Sequence, residues 1–189
     1  VFADYLRSKS VEPINLLIAI NYSDGSANTK ESFNSFCQEL EQAGVRGLSK
    51  KKQINLISKK IRENYTKRYV EDVYFSDLFK NGYCNNITSI ALYALVFQYF
   101  NIEYIIQKTP IHFYIIADPK GSKVEIETTF PTNQKVYDLT FKQNFINYLK
   151  DFGKISDFEL SSFSTEVLFE KYYLNADKID IYQLVSLQY

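Results

Sequence analysis

Residues 84–130 read CNNITSIALYALVFQYFNIEYIIQKTPIHFYIIADPKGSKVEIETTF, and this stretch decides the fold. Its first part, 84–100, carries Ile87, Ile90, Ala91, Leu92, Ala94, Leu95, Val96 and Phe97, apolar residues in almost every helical direction. A helix that is apolar all round is a buried helix. Three strand candidates follow, Ile102–Lys108, Ile111–Ala117 and Lys123–Phe130, rich in Ile, Tyr, Val and Phe. Pro110 separates the first two. Asp118-Pro119-Lys120-Gly121 joins the last two, with the residues a type I turn prefers at its first, second and fourth positions. One buried helix followed by an antiparallel hairpin sheet predicts an α+β plan.

Outward from that centre, helices lie on both sides. Residues 1–22 suggest one or two short helices, and Asn21 to Asn28 a loop. Thr29 is placed to cap a helix from Glu31 to Ala43, with Phe33, Phe36, Cys37 and Leu40 as its buried stripe and Gly44 as its stop. Ser49 opens a helix to Tyr65, with Ile54, Ile57 and Ile61 inward. Residues 66–83 read as an irregular, aromatic-rich approach to Cys84. Residues 139–189 return to helix, broken near Gly153 and Asn175. The 189 residues suit one domain, with a core at about 50–135, N-terminal helices over 1–48 and a helical extension over 139–189.

Charge is balanced, 22 basic against 22 acidic residues, so no electrostatic footprint for nucleic acid appears. The densest basic stretch, Lys50 to Arg68, reads as a solvated helix face. Two cysteines, Cys37 and Cys84, make no disulfide framework and no metal spacing, so neither metal nor cofactor is expected. No apolar run is long enough to span a membrane. The start at Val1 suggests a trimmed chain; location stays open, with a periplasmic or cell-envelope setting in view.

Three residue types carry chemistry. Cys84, read as lying in the first turn of the buried helix, would meet the partial positive charge and unpaired N–H groups there, which lower a thiol pKa and can hold an oxyanion. His112 is the only histidine. A thiolate nucleophile needs a base that titrates near neutral pH, which His supplies. If Asp118 pairs with Gly121, His112 faces Glu127 directly across the hairpin, and Glu127 can orient the imidazole. A bulge at Gly121 would put Thr128 there instead. Glu125, on the face of Glu127, is the fallback acid. Taken singly, each has a plainer reading: a small buried hydrophobe, a satisfied core histidine, an exposed strand carboxylate.

Gly82-Tyr83-Cys84-Asn85-Asn86-Ile87-Thr88 resembles the G-x-C-x-x-x-(A/S/T) opening of transglutaminase-like domains of the papain superfamily. Ala91-Leu92-Tyr93-Ala94-Leu95 looks like the continuation of that helix, and Asn101-Ile102-Glu103-Tyr104 like the lead into the first strand. Pro110-Ile111-His112-Phe113 is similar to the family's His strand, and Glu127-Thr128-Thr129 stands where it carries Asp-Pro-Thr. The likeness covers about residues 70–130. It implies a bacterial thiol acyl enzyme with a Cys84–His112–Glu127 catalytic triad: a hydrolase of peptide or amide bonds, or an acyltransferase. The implied partner is a peptide or protein substrate. Glu in place of Asp departs from the pattern, and no residue clearly completes the oxyanion hole among Gln53, Tyr69, Tyr74 and Asn81. These departures support an alternative, an inactive domain that binds peptide or protein. Asp180 to Tyr189 resembles the junction at which such bacterial proteins pass into tetratricopeptide-like helical repeats; its other reading is a C-terminal helix packed on the core.

Overall fold

The computed structural model describes residues 11–19, 26–128 and 138–188. In chain order these form α1 (Pro13–Ala19), α2 (Ser26–Gln42), α3 (Lys50–Asn64), β1 (Arg68–Tyr69), α4 (Phe75–Asn81), β2 (Tyr83–Cys84) and α5 (Asn86–Tyr99). Then come β3 (Tyr104–Lys108), β4 (Phe113–Ala117), β5 (Val124–Glu127), α6 (Leu139–Asp151), α7 (Asp157–Ser162), α8 (Thr165–Phe169), a π-helical turn (Glu170–Leu174), β6 (Asp177–Ile179) and α9 (Ile181–Ser186). The architecture is mixed α+β with a small antiparallel sheet, as expected. The helix expected within 1–10, the loop residues 21–25 and the end of the third strand at Thr129 and Phe130 lie outside the described residues.

α5 is the buried helix, with every side chain from Thr88 to Phe97 out of water. It lies against the sheet, whose order is β5-β4-β3-β6. Side chains alternate across a strand, so the sheet has two coats. Ile106, Ile115, Ala117 and Ile126 pack with α5 into a core shared by α1 to α4 and α9. Tyr114 and Ile116 point the other way, into a second core built with Phe145, Ile146, Leu149, Leu168, Phe169 and Tyr173 of the C-terminal helices.

Several details differ from the sequence reading. α2 begins at Ser26 rather than Glu31, which leaves Thr29 buried within its first turn. Residues 66–83 hold β1, α4 and β2, elements too short for periodicity to reveal. Gly82, at φ +69°, ends α4 where a side chain would be strained and would also press on the Lys67 stem at 2.9 Å. β6, polar and three residues long, sits within what read as helix, and completes the sheet beside β3. α9 packs Ile181, Leu184 and Val185 into the first core.

The hairpin register also differs. The turn forms as expected, with Gly121 N–H donating to Asp118 O at 3.0 Å. Lys123 N–H donates to the same oxygen, and the Asp118 carboxylate accepts from both Ser122 N–H and Ser122 Oγ. The loop therefore runs from Asp118 to Lys123, and the ladder closes on Ala117↔Val124, so Tyr114, not His112, pairs with Glu127. The shift is two residues, which preserves every side chain's face.

Candidate functional site

The β3–β4 hairpin is closed by Pro110 and Ile111. Thr109 N–H donates to His112 O at 2.9 Å, which makes Thr109 and His112 the next rung of the ladder. His112 thus shares its face with Tyr114 and Ile116. Its ring lies among Tyr114, Phe145 and Tyr173, at centroid distances of 6.2, 5.6 and 5.6 Å.

Glu127 is its diagonal neighbour on that face, close enough for long side chains to meet. His112 Nε2 lies 2.9 Å from Glu127 Oε2, with the two side chains only 4% and 3% exposed. With its proton on Nε2 the imidazole donates to the carboxylate, and Nδ1 faces Thr109 Oγ1 at 3.2 Å. That hydroxyl also accepts His112 N–H and donates to His112 O, both at 2.9 Å. Thr128 N–H donates to Glu127 Oε1. Tyr173 OH donates to Glu125 Oε1 at 2.7 Å and reaches Glu127 Oε2 at 3.3 Å. Burial first, then the two carboxylates, push the Tyr173 hydroxyl far above its ordinary pKa, so it stays a donor. Glu125, the fallback acid, binds Tyr173 rather than His112 in these contacts.

Cys84 belongs to the other core. It sits in β2, one residue before the N-cap of α5, rather than in the helix's first turn as expected. Asn85 takes the cap because its side chain serves there: Asn85 Oδ1 accepts Thr88 N–H, and Thr88 Oγ1 accepts Asn85 N–H, both at 2.9 Å. Cys84 instead pairs with Tyr69 across the parallel β1–β2 bridge. Its thiol donates to Arg68 O at 3.5 Å and meets the Ser89 side chain. Burial raises the thiol pKa, and the Ser89 contact offsets only part of it. The expected thiolate stabilisation by the helix end is therefore outweighed by desolvation. Among the described residues, His112 is not a hydrogen-bond partner of this thiol.

His112 and Glu127 are thus brought together, while Cys84 lies in the separate β1–β2 sheet and packs in the first core. Of the oxyanion candidates, Tyr69 is Cys84's strand neighbour but 54% exposed, and Tyr74 is also exposed. Asn81 ends α4 at the surface. Gln53 is occupied, donating to Leu48 O at 2.8 Å. Comparison with known families, characterised proteins and solved structures finds no match.

Two site residues escaped the sequence reading. Thr109 was legible in principle, directly before Pro110 at a turn. Tyr173 had no local signal, since 46 residues separate it from Glu127. No cluster of three metal-binding side chains occurs among the described residues. A cleft of about 350 Å³ opens at the start of α5, lined among others by Glu71, Asp72, Tyr74, Asn85, Ile87 and Leu187.

Proposed function

We propose that the chain keeps a transglutaminase-like, papain-superfamily plan but works as a peptide- or protein-binding module. The observation that carries this reading is that Cys84 packs in the first core with its thiol on Arg68 O, while His112 sits among the aromatic rings of the second core with Nε2 on Glu127. A nucleophile and its base must lie within hydrogen-bond reach. The cleft at the start of α5 is where a ligand docks. Glu71 and Asp72 at its rim, with Tyr74 and Leu187, suit a peptide carrying a basic and an apolar side chain. A peptide display library is expected to yield a saturable consensus. Its binding should survive Cys84→Ala and weaken in Asp72→Lys. Binding lost in Cys84→Ala, or no consensus at all, refutes the module.

The second reading, a thiol acyl enzyme, is favoured by the buried His112–Glu127 pair, because an imidazole fixed by a carboxylate is how a triad base is held. In that reading Cys84 attacks an amide carbonyl, His112 takes the thiol proton and returns it to the leaving amine, and water releases the acyl group. It requires Cys84 to reach His112 Nδ1. Treatment with an acyl-trapping electrophile at neutral pH separates the two. Labelling of the native chain that is lost in both Cys84→Ala and His112→Ala establishes the enzyme. Equal labelling of all three chains excludes it.

A further inference from the structure

We infer that the outer face of α3, continued by Lys67 and Arg68, is an adsorption surface for an anionic membrane. It uses none of the residues that line the cleft and stands independently of it. Residues 50–68 hold eight basic residues and one acidic, Glu63. The whole chain has 22 of each, so the remainder has 14 (22 less 8) basic against 21 (22 less 1) acidic. The protein is neutral overall, with more than a third of its basic residues gathered in this one segment.

The core decides which way these charges face. Ile54, Ile57, Ser58 and Ile61 turn inward, with Gln53 beside them. Lys51, Lys52, Lys59 and Arg62 are therefore left exposed. Lys52 and Lys59, seven residues apart, stand in line along the helix at its outermost edge. Among the described residues the one ion pair on this stripe is Lys59–Glu63, long at 3.8 Å and open to solvent. Past the helix, the Lys67 stem lies across Gly82, and the Arg68 guanidinium sits 5.6 Å over the Tyr83 ring. Tyr69, 54% exposed, follows directly.

The shape and composition select the partner. The surface is the convex side of one helix, without the groove and stacked aromatics that hold a single nucleic-acid strand. Against a planar anionic leaflet, by contrast, several lysines act together near the surface and the molecule turns its basic segment inward. An exposed tyrosine suits the headgroup layer.

The test is co-sedimentation with vesicles of phosphatidylglycerol in phosphatidylcholine, and with phosphatidylcholine alone. The chain is expected on the anionic vesicles only, with binding that falls as salt rises. The triple variant Lys52→Gln, Lys59→Gln, Arg62→Gln changes only exposed side chains and should keep the wild-type circular dichroism. It is expected to bind roughly a hundredfold more weakly. No binding of the wild type to anionic vesicles overturns the inference, as does equal binding by the triple variant. Tighter binding to single-stranded DNA than to the vesicles also overturns it.

Discussion

Replacing Glu127 by Ala should destabilise the protein more than any surface change. The variant leaves His112 4% exposed among aromatic rings, without its 2.9 Å carboxylate, and removes one acceptor near Tyr173 OH. Removing the carboxylate that accepts from the buried imidazole costs about 1–3 kcal/mol. In a chain of this size each kcal/mol moves the melting midpoint by about 2–4 °C, so a fall of roughly 2–12 °C is expected. The assay is urea unfolding of wild type, Glu127→Ala, His112→Ala and the double variant, at constant pH and salt. A double-mutant cycle isolates the pair, and a hydrogen bond to a charged group should appear as a coupling of about 1.5–3 kcal/mol. Glu127→Gln, which keeps an acceptor oxygen for Nε2, should lose less than Glu127→Ala. A loss below about 1 kcal/mol in Glu127→Ala, or a coupling near zero, would refute the view that this buried pair holds the His112 end of β4 to β5.

Other expectations are smaller. Tyr173→Phe deletes the hydroxyl that donates to Glu125 at 2.7 Å, so about 1 kcal/mol should be lost in thermal unfolding; unchanged stability contradicts the contact. Gly82→Ala adds a Cβ at φ +69°, 2.9 Å from the Lys67 stem, and should cost about 1 kcal/mol or more by denaturant titration. Alkali should unfold the protein early: the buried Cys37 thiol, pushed from 9.0 to about 12, keeps its proton while the unfolded chain gives its own up. The unfolded state thus binds fewer protons between pH 9 and 12, and stability falls as pH rises through that window, full below it. Cys37→Ala should flatten the fall; an unchanged slope assigns it elsewhere.

How much of this was legible in the sequence follows from how local each cause is. α5 declared itself because nothing but apolar residues occupies its circumference, and burial is the only outcome for such a helix. Strands β3 to β5 were visible through their β-branched and aromatic runs, and Gly44 and Ser49 marked helix ends. The meeting of His112 with Glu127 was foreseen through the wrong rung, and it survives because a two-residue slip leaves both side chains on one face. The elements β1, α4, β2 and β6 stayed hidden, since two to seven residues carry too little periodicity.

What residues in sequence order could not decide was which core each candidate joins. Cys84, His112 and Glu127 follow one another as a triad would, yet order along a chain says nothing about two sides of a strand. That was settled by the β4 alternation. Phe113, Ile115 and Ala117 meet α5, while His112, Tyr114 and Ile116 meet the helices that follow. Asn85 and Thr88 contributed as well, by capping α5 reciprocally and leaving Cys84 outside it. The sequence alone determined the α+β composition, the buried helix and the candidate chemistry. Only the tertiary structure sorted that chemistry into a buried acid–imidazole pair against the second core and a buried thiol in the first. Packing acts on faces, and faces exist only once the sheet is formed.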